Sequence, residues 1–99
     1  MPQNDVMDDV TTTARPVLMP SVEVGMEQGR LVEFLVALGA TVAVGDPLFR
    51  VEGDKAILDI ESPVAGRVAE LVATPGADLP VGAEVLVIEV AQVSPGGSA

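Results

Sequence analysis

Residues 29–52, GRLVEFLVALGATVAVGDPLFRVE, recur without a gap as residues 66–89, GRVAELVATPGADLPVGAEVLVIE. The offset is 37 residues, and eight of the 24 positions are identical: Gly29/Gly66, Arg30/Arg67, Glu33/Glu70, Gly39/Gly76, Ala40/Ala77, Val44/Val81, Gly45/Gly82 and Glu52/Glu89. Three of these pairs are glycines, which admit backbone angles that other side chains forbid. Each copy spells strand, glycine turn, short strand, glycine turn, strand. The first strands are Leu31 to Val36 and Val68 to Val72, with turns at Gly39-Ala40 and Gly76-Ala77. Val42 and Leu79 mark the short strands, Gly45-Asp46 and Gly82-Ala83 turn again, and Leu48 to Val51 and Val85 to Val90 close each unit. One unit has too few strands to enclose a core, so two copies related by a pseudo-two-fold axis, sheets face to face, are expected. Leu31 to Leu38 has the composition of a short helix as well. Its β-branched residues and its alignment with the segment holding Pro75 favour a strand.

Between the copies lies Glu52-Gly53-Asp54-Lys55-Ala56, joining Leu48 to Val51 with a further strand, Ile57 to Ile60. Asp54-Lys55 falls where a two-residue hairpin loop belongs, and folding about it pairs Val51 with Leu58, Phe49 with Ile60 and Arg50 with Asp59. One face of the hairpin is then apolar and the other carries an ion pair across the strands. Lys55 is the only lysine in the protein. Ser62-Pro63-Val64-Ala65-Gly66 is a turn leading into the second copy.

Outside the repeat, residues 1–14 hold Asp5, Asp8, Asp9 and three threonines with little to bury, and are expected to form a disordered acidic leader. Arg15 to Pro20 is a short strand that its prolines confine to a sheet edge. Ser21 to Gly29 reads as a surface loop. Residues 15–91 make one domain, and residues 92–99 read as a flexible tail or the start of a linker.

With 99 residues there is material for one modest core and no deep catalytic pocket. There is no cysteine and no histidine, which removes thiolate nucleophiles, disulfides and the commonest general base and metal ligand. Fifteen acids against five bases give a formal charge of -10, which repels nucleic acid and suits docking on basic protein surfaces. No apolar run is long enough for a membrane helix, and the N-terminal stretch lacks the features of a signal or transit peptide. A cytoplasmic location is expected.

Residues 17 to 90 resemble a lipoyl domain of the 2-oxoacid dehydrogenase acyltransferase (E2) family, within the biotinyl/lipoyl-carrier superfamily. The resemblance rests on Met19-Pro20, Gly29 with the strand after it, Val44-Gly45-Asp46, Val51-Glu52-Gly53-Asp54-Lys55-Ala56, Ser62-Pro63-Val64-Ala65-Gly66 and Val81-Gly82. It implies an all-β fold, a flattened β-barrel or barrel-sandwich hybrid of two four-stranded antiparallel sheets. It also implies lipoate in amide linkage on Lys55, with Glu52, Gly53, Asp54 and Ala56 read by the lipoate-attaching enzyme. The loop holding Met26 and Glu27 would help partners recognise the domain. Those partners would be a thiamine-dependent 2-oxoacid decarboxylase (E1), the acyltransferase core, and a flavoprotein dihydrolipoyl dehydrogenase (E3). On this resemblance the chain carries a cofactor and has no catalysis of its own. Biotin on Lys55 is the alternative cofactor, although biotin carriers usually place methionines on both sides of the lysine. Ala40 and Ala77 depart from the family, which often has Asp after the turn glycine. The peripheral-subunit-binding and catalytic domains of the acyltransferase are absent from this sequence.

Each candidate has a plainer account. A lone turn lysine is ordinarily just solvated. Asp54 suits a turn on its own merits, and Gly53 and the turn glycines read as backbone requirements. Glu52, Asp59 and Glu61 are better taken as a solvated strand face than as a metal or acid-base cluster. A scaffold barrel without any modification is the third function considered.

Overall fold

The computed structural model describes residues 10–93. Among them no helix forms, and eight strands make two four-stranded antiparallel sheets. The strands are β1 Val10–Leu18, β2 Gln28–Phe34, β3 Thr41–Val42, β4 Pro47–Glu52, β5 Ile57–Glu61, β6 Gly66–Leu71, β7 Asp78–Pro80 and β8 Glu84–Val93. One sheet has the order β5-β4-β2-β7 and the other β1-β8-β6-β3. Moving along the sequence by one repeat carries β2, β3 and β4 onto β6, β7 and β8. The same operation turns one sheet order into the other once β5 is matched with β1. The two sheets are therefore the two repeats, as the sequence implied, with one exchange that it did not. The short strand of each copy hydrogen-bonds in the other copy's sheet, β3 along β6 and β7 along β2.

The turn glycines explain how each short strand is delivered. Ala40 N–H donates to the Ala37 carbonyl at 3.0 Å with Gly39 at φ 89°, and Ala77 N–H donates to Thr74 at 3.1 Å with Gly76 at φ 92°. Both are type II turns, whose third residue must adopt a positive φ. Beside each turn, the glycine N–H crosses to the opposite copy: Gly39 to the Val68 carbonyl at 2.8 Å, Gly76 to that of Leu31 at 2.6 Å.

The core follows the same symmetry. Leu31 and Val68, Leu48 and Val85, Phe49 and Leu86, and Val51 and Ile88 are repeat counterparts, and all eight are fully buried in one cluster fed by both sheets. None of these four pairs is identical in sequence. The symmetry of the core lies in apolar character, while most of the identities lie in turns and on the surface. Strand alternation alone would send Leu48 to solvent. A register shift between Pro47 and Phe49 in the β4–β5 ladder makes Leu48 an extra residue, so that it and Phe49 both turn inward. The counterpart shift in the β1–β8 ladder does the same for Val85 and Leu86. At roughly 1.5–3 kcal/mol per fully buried aliphatic or aromatic side chain, this cluster is the main source of stability.

Two boundaries differ from expectation. β1 begins at Val10 and takes in residues 10–14, which the composition assigned to the leader. β8 runs to Val93, two residues past the expected domain end. The reason is mutual pairing: Val10 to Ala14 lie opposite Val93 to Glu89, and the β-branched threonines suit an extended edge. β1 is an edge strand and includes Pro16, in keeping with the prolines. The rest of the leader, residues 1–9, and of the tail, residues 94–99, lie outside the described residues.

Candidate functional site: the lysine turn and the loop beside it

β4 and β5 pair in the expected register, Val51 with Leu58, Arg50 with Asp59 and Phe49 with Ile60. The ladder ends at Glu52 opposite Ile57, and Gly53 N–H donates to the Ala56 carbonyl at 2.8 Å, leaving Asp54 and Lys55 as the two loop residues. Both are exposed, with Gly53 and Ala56 half-buried behind them. Lys55 makes no ion pair among the described residues. Its amine therefore stands free at the tip of a rigid hairpin.

The hairpin is braced on its outer face. Arg50 Nε donates to Asp59 Oδ1 at 2.8 Å, the expected cross-strand pair, and its Nη1 donates to Glu33 Oε2 on β2 at 2.6 Å. The bond to Asp59, and then that carboxylate's charge, hold the Arg50 guanidinium above its usual range. Three strands are thus tied by one side chain in solvent, where such pairs add little stability. On the other flank, Arg30 Nε donates to Asp78 Oδ1 at 3.1 Å, and this bond and charge raise Arg30 likewise. Between Arg30, Asp78, Glu52 and Asp54 lies an open polar groove of about 390 Å³. Among the described residues, no three carboxylates converge in a way that would hold a metal ion.

The 21–29 loop reaches the turn through a residue that sequence reasoning passed over. Glu23 accepts the Asp54 N–H on Oε1 at 2.8 Å and the Lys55 N–H on Oε2 at 2.6 Å. Gly53 makes room for it. A Cβ there would sit 2.7 Å from Glu23 Oε1, while the φ of Gly53 is not in the left-handed region. The need for glycine at 53 is thus one of space, unlike that at the four repeat turns. Within the loop, Met26 N–H donates to the Glu23 carbonyl at 3.2 Å, and Ser21 Oγ donates to that same carbonyl at 3.0 Å. Met26 is half-buried against the core, its sulfur accepting the Val22 N–H, whereas Glu27 and Val24 face solvent. Glu23 was hidden because nothing in its local sequence marks a contact 31 and 32 residues away.

The outermost described residues, Val10 and Val93, pair at the opposite end of the domain. Arg30 lies beside both Glu52 and Asp78, so β7 sits at the lysine end, and β8 starts there and runs away to Val93. The exposed Lys55 amine at one end, with Val10 and Val93 at the other, is a geometry for presentation.

Comparison with known proteins identifies the family. The biotin/lipoyl family model, described as "Biotin-requiring enzyme", matches residues 15–88. The chain is 40% identical over 78 residues to the dihydrolipoyllysine-residue acetyltransferase component of the pyruvate dehydrogenase complex of Mycobacterium tuberculosis, covering 79% of this chain and 14% of the relative. It is 36% identical over 86 residues to the corresponding component of the acetoin cleaving system of Cupriavidus necator, covering 87% and 23%. It is 39% identical over 74 residues to the lipoamide acyltransferase component of the branched-chain alpha-keto acid dehydrogenase complex of Pseudomonas putida, covering 75% and 18%. The chain thus spans less than a quarter of the length of each of these relatives. No helix among the described residues is long and apolar enough to cross a membrane. By the extent of the family match and the fold that carries it, the chain belongs to the biotin/lipoyl-attachment family, as a lipoyl domain of the kind found in 2-oxoacid dehydrogenase acyltransferases.

Proposed function

We propose that Lys55 carries lipoate in amide linkage and that the domain presents it to the enzymes of a 2-oxoacid or acetoin-type dehydrogenase complex. The observation that carries this is the free, exposed Lys55 amine on a two-residue hairpin tip between Asp54 and Ala56. The site fits such a group: nothing encloses the amine, so a long acyl chain can extend from it without displacing protein. In attachment, the Lys55 ammonium would lose one proton to free its amine, which would attack an activated lipoyl or octanoyl carbonyl. The bond from that carbonyl to the activating group breaks, the group leaves with its electron pair, and a second proton leaves the nitrogen as the amide forms. The formal charge then goes from -10 to -11.

When bound, lipoate supplies a dithiolane able to take up and pass on acyl groups. The protein supplies position: tethering to one end of a small, acidic domain replaces diffusion by a high local concentration at each partner's active site. The attaching enzyme would read Glu52, Gly53, Asp54 and Ala56. The 21–29 loop would meet the partners, with Glu27 facing outward and Met26 seating the loop. The partners would be a thiamine-dependent decarboxylase, an acyltransferase core and a flavoprotein dehydrogenase, all in the cytoplasm. The domain would have no catalysis of its own.

Incubation with a lipoate ligase, lipoate and ATP, followed by intact-mass and peptide analysis, tests the proposal. One lipoyl adduct on Lys55 is expected. A biotin adduct from a biotin ligase in its place would make this a biotin carrier, and neither adduct would leave a scaffold.

A further inference from the structure

We infer that Glu23 is a positioning residue that fixes the Lys55 turn for modification, an inference that rests on Lys55 being the attachment site. Three observations converge on it. Both carboxylate oxygens of Glu23 are used, one on each N–H of the two loop residues, at 2.8 and 2.6 Å. Gly53 leaves the space through which that carboxylate approaches, as an added Cβ would lie 2.7–3.1 Å from its three atoms. Glu23 also sits in a loop that is longer than its counterpart in the other half of the fold.

That third point follows from the symmetry. Gly82 N–H donates to the Met19 carbonyl and Met19 N–H to that of Ala83, while Gly45 N–H donates to the Ser62 carbonyl and Ser62 N–H to that of Asp46. Met19 and Ser62 are therefore structural counterparts, each followed by a proline and then by the first glycine of a repeat. From Pro63 to Gly66 only two residues intervene, whereas eight intervene from Pro20 to Gly29. The six extra residues form the loop that carries Glu23 to the lysine hairpin.

The turn needs such support. No residue other than glycine has a positive φ among the described residues, so Asp54-Lys55 is not the type I′ or II′ turn whose twist matches its strands. Its two N–H groups emerge on one side, and a carboxylate accepting both is a pair of charge-assisted bonds. With the turn held, the Lys55 backbone has one orientation and its side chain leaves from a defined point. Without Glu23 the two amides go to water, the turn samples more conformations, and an enzyme that must recognise the turn captures a smaller fraction of them.

The test measures two quantities on the same proteins: amide exchange rates of Asp54 and Lys55 by NMR, and kcat/KM for lipoylation by a lipoate ligase. For Glu23→Ala, both amides should exchange about tenfold faster with Val51 unchanged, and kcat/KM should fall about tenfold. Glu23→Gln keeps the size but offers one acceptor, and should fall between. Gly53→Ala should speed exchange of both amides likewise by displacing the carboxylate, and in the double variant they should exchange no faster, because both changes remove one interaction. Unchanged exchange in Glu23→Ala overturns the inference, as does faster exchange with unaltered kcat/KM or additive effects on exchange in the double variant. If the amides respond but the wild-type protein accepts no lipoyl group, the attachment proposal fails. The positioning role then fails with it, leaving a structural clamp.

Discussion

Arg30 gives its Nε–H to Asp78 at 3.1 Å and so leaves Glu52, its cross-strand neighbour, without an ion pair among the described residues. Its repeat counterpart behaves differently: Arg67 donates to Glu89, the counterpart of Glu52, at 3.2 Å. The difference traces to one position, for Asp78 corresponds to Thr41, which cannot compete for the arginine. The free carboxylate of Glu52 thus stands at the base of the lysine hairpin, and the paired one of Glu89 stands at the other end. Asp78→Thr should turn Arg30 onto Glu52, read as a change in the Arg30 Nε–Hε resonance. The urea midpoint should hardly move, because the pair is exposed. An unaltered Arg30 resonance would show that the repeat symmetry does not govern this choice.

Lys55→Arg should fold as the parent does, with stability within about 0.5 kcal/mol, since the side chain is exposed and unpaired. It should accept no lipoyl group by intact mass. Loss of the folded spectrum would make Lys55 a structural residue and remove the basis for the proposed function.

Phe49 is fully buried at the centre of the cluster, and Phe49→Ala should cost about 3–5 kcal/mol in urea unfolding. Leu58, on the same face of the hairpin and paired with Val51, remains 43% exposed, so Leu58→Ala should cost well under half as much. Equal losses would mean that the hairpin packs more deeply than the structure has it.

Glycine positions offer a sharper contrast. Gly76 has φ 92° with open space around its Cα, so Gly76→Ala should destabilise the fold by about 1–2 kcal/mol through backbone strain alone. Gly53 is not left-handed, and Gly53→Ala should act mainly on the lysine turn, with a smaller change in global stability. Reversed magnitudes in urea titrations would contradict this division.

Much of this molecule could be read from its sequence because the relevant signals are local or repeated. The 37-residue repeat implied two facing sheets, the glycine pairs marked the turns, and the alternation around Asp54-Lys55 set the hairpin register down to Arg50 opposite Asp59. These depend on period-two patterning, on turn geometry and on steric rules that act over a few residues. What the tertiary structure alone decided are choices of partner between distant segments. They include the exchange of β3 and β7 between sheets, the extra residues Leu48 and Val85 that double the inward side chains, and the preference of Arg30 for Asp78. The extension of β1 back to Val10 belongs with them. So does the hold of Glu23 on the turn 32 residues away. A backbone N–H carries no sequence label and can donate to any suitable oxygen within reach. Only the folded chain determines which oxygen that is, and so the lysine turn was legible from the sequence while the carboxylate that contacts it was not.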